Sequence, residues 1–412
     1  MSQEVEKLKE LIRLDSDLQS TQDLDILLEK ILYEARKFVN ADAGTIYLKR
    51  GNTLVFSYTQ NDTKQKLLPP GQKIIYSIFT VEINRKSISG YVAETKEILN
   101  IPDVYKISRN APYSFNKSYD KLGGYKTTSM LTIPLATNLG EVLGVIQLIN
   151  AMDANGNVIP FNTDDEFYIS HYATAASMAL QRAQLTRQLL LRMISMAELR
   201  DPKETGPHVN RVAAYAVEIY ERWAQLRGMP ARDLHKNRDI LRMAAMLHDV
   251  GKVAISDLIL KKPGNFTDDE YEIMKSHTYN GARLFQSKQS IFDEIASEVA
   301  LTHHENWDGT GYPGRLDIQT GEPLKTLKKG NDGKSLSIKG EDIPIFGRLV
   351  SIADVYDALS HRRVYKKAWD EQEVLDEMRK MAGTKFDPEL VDIFFEAIPH
   401  LRNISKKYPD SE

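Results

Sequence analysis

The chain has 412 residues, enough for two or three domains that each bury a proper core. With 42% apolar and 27% charged residues it reads as an ordinary soluble globular protein, and a net charge of -3 gives no reason to expect a nucleic acid polymer or an anionic membrane as partner. There is no cysteine, which excludes disulfides, thiolate metal sites, iron–sulfur clusters, thiol catalysis and a cysteine-linked chromophore.

The N-terminus, MSQEVEKLKELIRLDSDL, is charged and helical in pattern, with Val5, Leu8, Leu11, Ile12 and Leu18 on one face. It has no apolar signal-peptide core, and no run in the chain approaches the roughly 20 apolar residues of a membrane span, so a cytoplasmic location is expected. Residues 23–39 repeat the helical spacing through Leu24, Leu27, Leu28, Ile31, Leu32 and Phe38. Then the period changes. GTIYLKR and NTLVFSYTQ, parted by Arg50-Gly51-Asn52, read as a hairpin, and SMLTIPLATNLGEVLGVIQLINA as two more strands around a turn at Asn138-Leu139-Gly140. This order predicts an α+β domain on an antiparallel sheet.

From Asp164 to about Arg200 the pattern is helical, without proline or glycine. Leu185, Leu189, Met193 and Met196 follow at steps of four, four and three, a seam on which two copies of the chain would pair as a homodimer. After Asp201-Pro202 the chain reads as almost entirely helical. RDILRMAAMLHDVG is expected to end at a C-cap, Gly251, and Thr267 with Glu270 has the spacing of a capping box for the helix that carries His277. SEVALTHHEN and IPIFGRLVSIADVYDALS supply two more helices, separated by a polar, Gly/Lys-rich insertion at 324–343.

This helical half concentrates the metal-type ligands. His208, His248, Asp249 and Asp354 lie on or beside separate helices, with His277 and the adjacent pair His303 and His304 near them in sequence. A helical bundle can aim such side chains into one core site. One metal takes about four to six donors, and aspartate can bridge, so this set suits at least two.

The ordered motifs ETGPHVNRV, LHDVGK, KSHTYNGA, HHENWDGTGYP, IADVYDAL, SHRRVYKKAW and FDPELV resemble the HD-GYP family of the HD phosphohydrolase superfamily. That resemblance implies an all-helical phosphodiesterase domain that hydrolyses cyclic di-GMP to linear pGpG, and onward to GMP, on two or three iron or manganese ions. Carried over by position, His208, His248, Asp249 and Asp354 would hold one metal, and Asp249 would bridge to a second held by His277, His303 and His304. Glu204 matches the ligand of a third metal. Asp249 and Lys252 would be the catalytic pair, Lys252 contacting the scissile phosphate, with Arg363 and Lys366 binding substrate phosphates. Without the resemblance, Lys252 would be a solvated cation past a helix end, where the dipole favours it; the catalytic role is preferred. Asp308 would orient a ligating histidine, Tyr312 would be mainly structural, and Asp357 competes with Asp354 for the metal. The insertion, absent from the family's short loop, would be a solvated surface loop or, as the alternative, a basic flap for an anionic substrate.

Residues 21–180 resemble a GAF sensory domain, on GYVAETKEILNIPDV and IPLATNLGEVLGVIQLIN. Asn150, Phe161, Asp165 and Glu166 match in outline the signature of nucleotide-binding GAF domains, but Ala151 stands where that signature has lysine. Its ligand is left open. The expected organisation is thus a multidomain α+β protein: an N-terminal helix (1–20), a GAF domain (21–180), a connecting helix (165–199) and an HD-GYP domain (200–405). The competing functions are hydrolysis of a related cyclic dinucleotide such as cyclic GMP-AMP, or a non-catalytic signalling adaptor.

Overall fold

The computed structural model describes residues 3–69, 79–198, 206–287, 290–324, 336–361 and 369–410. Glu204, Arg363, Lys366 and residues 325–335 of the insertion lie outside them. The chain divides into two units, Met1–Arg187 and Gln188–Glu412. No helix among the described residues is long and apolar enough to cross a membrane.

In the first unit, Asp23 starts the helix Leu24–Phe38 by accepting the N–H groups of Asp25 and Ile26. The helix lays Leu27, Leu28, Ile31 and Leu32 into a core shared with Leu14 and Leu18 of the helix Gln3–Ser20 and with the sheet. That sheet has strands β1 (Ala41–Arg50), β2 (Thr53–Asn61), β3 (Thr80–Glu82), β4 (Leu99–Ile101), β5 (Met130–Ala136), β6 (Val142–Met152) and β7 (Val158–Ile159). The order is β3-β2-β1-β6-β5-β4, with β7 on β6, and every pairing is antiparallel. The expected hairpin is β1–β2, with Arg50 opposite Thr53, and the second pair is β5–β6.

The nucleotide-type residues are spent internally. Asn150 Oδ1 accepts the N–H of Thr128 at 2.7 Å, and its Nδ2 donates to Tyr125 Oη and Lys126 O, tying this segment to β6. Phe161 is in the core. Asp165 and Asn162 cap one another at the start of the helix Thr163–Glu198. One face of that helix, Ile169, Tyr172, Ala173, Ala176, Leu180 and Ala183, is buried in the unit. Another face leaves Phe167, Met178, Leu185, Leu189, Met193 and Met196 exposed. Phe167, Met178 and Leu189 recur every eleven residues, as do Leu185 and Met196. An eleven-residue period keeps a stripe nearly straight along a helix, unlike the heptads of a left-handed coiled coil.

The second unit is a helical bundle. The helices Gly206–Leu226, Ala231–Met246, Ile291–Thr302, Ile345–Ser360 and Pro388–Lys407 meet in a core of Val212, Leu241, Val299, Leu349, Ile352 and Phe394. The helix expected to run to Gly251 stops at Met246, so Gly251 is not its C-cap. Leu247, His248 and Asp249 turn instead into a short 3-10 helix, Val250–Ala254. Gly251 is needed there for close approach: a Cβ would sit 1.9 Å from His277 O and 2.3 Å from Gly281 N. This contact presses the His248-Asp249 turn against the helix His277–Leu284. The capping box forms as expected, Thr267 with Glu270, but its helix ends at Lys275 and His277 opens the next one.

Gly251→Ala should therefore cost about 1–3 kcal/mol of stability through overpacking against backbone that has little room to shift. A urea denaturation midpoint equal to that of the parent protein would show that the contact is not tight.

Candidate metal centre

The ligand-type side chains arrive from five places in the bundle, and those places explain why they converge. His208 lies at the start of the helix Gly206–Leu226, and His248 and Asp249 occupy the turn after Met246. His277 opens its helix, His303 is the C-cap of Ile291–Thr302 with His304 next, and Asp354 is in the middle of Ile345–Ser360. Helix ends and turns carry most of the site, so these side chains can project inward without the backbone blocking them.

Two groups result. Asp249, His277, His303 and His304 offer ligand atoms within 4.8 Å of one another, as do His208, His248 and Asp354. Asp249 stands between them: its Oδ1 is 3.1 Å from His277 Nε2 and 3.5 Å from His303 Nε2, while its Oδ2 is 3.3 Å from His248 Nε2. Asp354 Oδ1 lies 3.7 Å from His208 Nε2 and 4.0 Å from His248 Nε2. The Nε2 atoms of His277 and His303 and Asp249 Oδ1 are buried and converge without hydrogen-bond geometry. Leaving such atoms unsatisfied costs about 1–3 kcal/mol each, a cost that a shared cation removes. Imidazole nitrogens and carboxylate oxygens, with no sulfur, form a donor set for a borderline-to-hard divalent metal. The residues present fit such an ion.

The protonation states agree with this. Burial opposes the charged form of Asp249, but Lys252 and His248 beside it win and hold its carboxyl well below the usual range. Burial pushes the His303 and His304 imidazoles down, and for His304 the neighbouring His303 and His277 add to the effect. The rings stay neutral, the form that donates a lone pair to a metal. Lys252 Nζ donates to Asp249 Oδ2 at 2.8 Å and its side chain is largely shielded from solvent.

Other expectations need revision. Asp357 does not compete with Asp354 for the two groups; it faces away and meets His208 Nδ1 at 2.8 Å. Asp308 touches no histidine; its Oδ1 accepts the N–H and hydroxyl of Thr310, closing the turn of the GTG segment. Tyr312 packs its ring on His304, with centroids 4.8 Å apart, and its N–H donates to His304 O. Glu305 was missed, although it directly follows the histidine pair. It is buried, its Oε1 accepts the Gly314 N–H at 2.6 Å, and its Oε2 has no hydrogen-bond partner. Lys385 was also missed. Its carbonyl accepts Trp307 N–H, which stitches the GYP loop to the turn before the last helix, and burial pushes its amine down while the Asp354 charge opposes.

Burial raises the Glu305 carboxyl to about 7 against the accepting bond from Gly314. A folded-state pKa above the unfolded one means that the unfolded chain loses this proton first, so Glu305 costs stability increasingly as pH rises from about 4.5 to 7. Glu305→Gln keeps an acceptor and does not titrate. In metal-free protein its melting temperature relative to the parent should climb between pH 5 and pH 8; a constant difference would place the Glu305 pKa elsewhere.

The HD domain family matches residues 205–359 and the GAF domain family residues 23–180. The chain is 36% identical over 227 residues to a 3′3′-cGAMP-specific phosphodiesterase of Vibrio cholerae, covering 55% of this chain and 38% of that protein. It is 31% identical over 306 residues to a cyclic di-GMP phosphodiesterase of the same organism, covering 70% and 57%. A cyclic di-GMP phosphodiesterase of Thermotoga maritima is 34% identical over 223 residues, covering 54% and 52%. The chain spans about half the length of the curated relatives it matches. The chain thus carries a GAF domain followed by an HD domain, and it is similar to relatives named as cyclic-dinucleotide phosphodiesterases.

Proposed function

We propose that this chain hydrolyses cyclic di-GMP to linear pGpG, and onward to GMP, on a multinuclear metal centre regulated by its GAF domain. The observation that carries the reading is Asp249, whose two carboxylate oxygens face two separate groups of imidazole ligands. In this reading His208, His248, Asp249 and Asp354 hold one ion, and Asp249, His277, His303 and His304 hold another. Glu204 is the proposed ligand of a third. Iron or manganese suits the nitrogen and oxygen donors. Bound there, such ions supply Lewis acidity to phosphate oxygens and lower the pKa of water enough to make a nucleophile at neutral pH.

The chain's own groups do the rest. Lys252 is held by Asp249, and its ammonium is the proposed contact to a non-bridging oxygen of the scissile phosphate. The His303 and His304 imidazoles stay neutral, and the low pKa of Asp249 keeps it from taking up a proton during turnover. Arg363 and Lys366 are proposed to hold the substrate's phosphates. A related cyclic dinucleotide, cyclic GMP-AMP, is the second reading, because one relative is named for it. A non-catalytic adaptor is disfavoured by the full set of seven donors, which a binding fold has no reason to keep together. The exposed stripe Phe167–Met196 is the proposed homodimer seam, the GAF ligand is unassigned, and a cytoplasmic site of action fits a dinucleotide second messenger.

Manganese- or iron-loaded protein should convert cyclic di-GMP to pGpG, resolved by chromatography, and chelation should stop it. His248→Ala and Asp249→Ala should each lose metal and at least a hundredfold in rate while circular dichroism is unchanged. No turnover of either dinucleotide by metal-replete protein would reject both enzymatic readings.

Leu189→Glu combined with Met193→Glu puts like charges on the seam and should yield monomers by light scattering. An unaltered dimer would place the interface elsewhere.

A further inference from the structure

A histidine can offer Nε2 to a metal only while Nδ1 keeps the proton, so some acceptor must hold that N–H and set the ring plane. Three of the buried histidines find one within their own turn. His248 Nδ1 lies 2.8 Å from Ala245 O, His277 Nδ1 lies 2.7 Å from Met274 O, and His303 Nδ1 lies 3.0 Å from Val299 O. A carbonyl can only accept, so in each case Nδ1 donates and Nε2 is left for the centre.

His208, the third residue of Gly206–Leu226, meets an acceptor on another helix: Asp357 Oδ2, at 2.8 Å. Asp357 is 2% exposed, and a buried carboxylate needs a partner. Arg211, equally buried, grips it at both oxygens, Nε to Oδ1 at 2.6 Å and Nη2 to Oδ2 at 3.0 Å, a bidentate pair that fixes the carboxylate plane. Arg211 Nη1 in turn donates to Tyr408 O and Asp410 Oδ1, both at 2.9 Å, beyond the end of Pro388–Lys407. His361 Nδ1 stands 3.2 Å from Asp357 Oδ1.

The geometry points to Asp357 and Arg211 as positioning residues: Asp357 sets the tautomer and plane of His208, and Arg211, braced by Tyr408 and Asp410, holds Asp357 in place. This rests on the proposed metal centre. A purely structural ion pair would tie helices together and touch both ligand groups alike. A positioning role is selective, because only the His208 group depends on Asp357.

The test uses full-length protein stripped with a chelator and titrated with manganese, counting bound equivalents by electron paramagnetic resonance. In Asp357→Asn and Arg211→Lys one equivalent should weaken roughly ten- to hundredfold while the rest keep parental affinity and the helical content is unchanged. Asp410→Asn loosens only the brace and should weaken the same equivalent by a smaller factor, which serves if the buried variants do not fold. Parental affinity at every equivalent in all folded variants, or uniform weakening of all equivalents, overturns the inference. Parent protein that binds no manganese or iron overturns the metal centre itself, and is distinguishable because the variants are then not at issue.

Discussion

The carboxylate of Asp249 is the constraint on which the helical unit depends. It is buried among three imidazoles and one ammonium, and burial alone would neutralise it. Lys252, three residues on, keeps it ionised, and that pairing is possible because the chain leaves the helix at Met246 and turns through a 3-10 segment. The turn in turn relies on Gly251, whose missing side chain lets the His277 backbone approach. Ligand geometry, local backbone and helix packing are therefore one problem, solved within five residues.

The same economy appears in how the imidazoles are oriented. His248, His277 and His303 each turn Nδ1 to a carbonyl three or four residues back in the chain. His208 turns Nδ1 to a side chain of another helix, Asp357. The first three are oriented by nearby backbone, whereas His208 is linked to distant elements. For His208 the link runs through Arg211 to residues 408 and 410, far along the chain but adjacent in the bundle.

Much of this was legible in the sequence, and the reasons are local. The β1–β2 hairpin, the Thr267 capping box and the ligand-bearing motifs each depend on residues within a few positions of one another. What was not legible depends on tertiary approach. Gly251 looked like a helix terminator because glycine after a helix usually is one; its actual role is set by a helix thirty residues downstream. Asp354 and Asp357 are one turn apart and chemically identical, and only the rotation of their helix separates the one that faces the ligands from the one that faces Arg211. Asn150 resembled a nucleotide ligand, yet its amide is consumed by Thr128, Tyr125 and Lys126.

His304 follows neither rule of orientation. Its ring is held by other rings, with His303 at 4.1 Å and Tyr312 at 4.8 Å between centroids. Stacking fixes a plane more loosely than a hydrogen bond fixes a tautomer, so the support of Tyr312 matters more here than elsewhere. That support is anchored twice: Tyr312 N–H donates to His304 O, and the buried Glu305 carboxylate holds Gly314 two residues beyond. Gly311 allows it, since a Cβ there would meet Asn306 N at 2.2 Å. The GYP segment is therefore a clasp over the second ligand group, and its tyrosine acts through the ring beneath it.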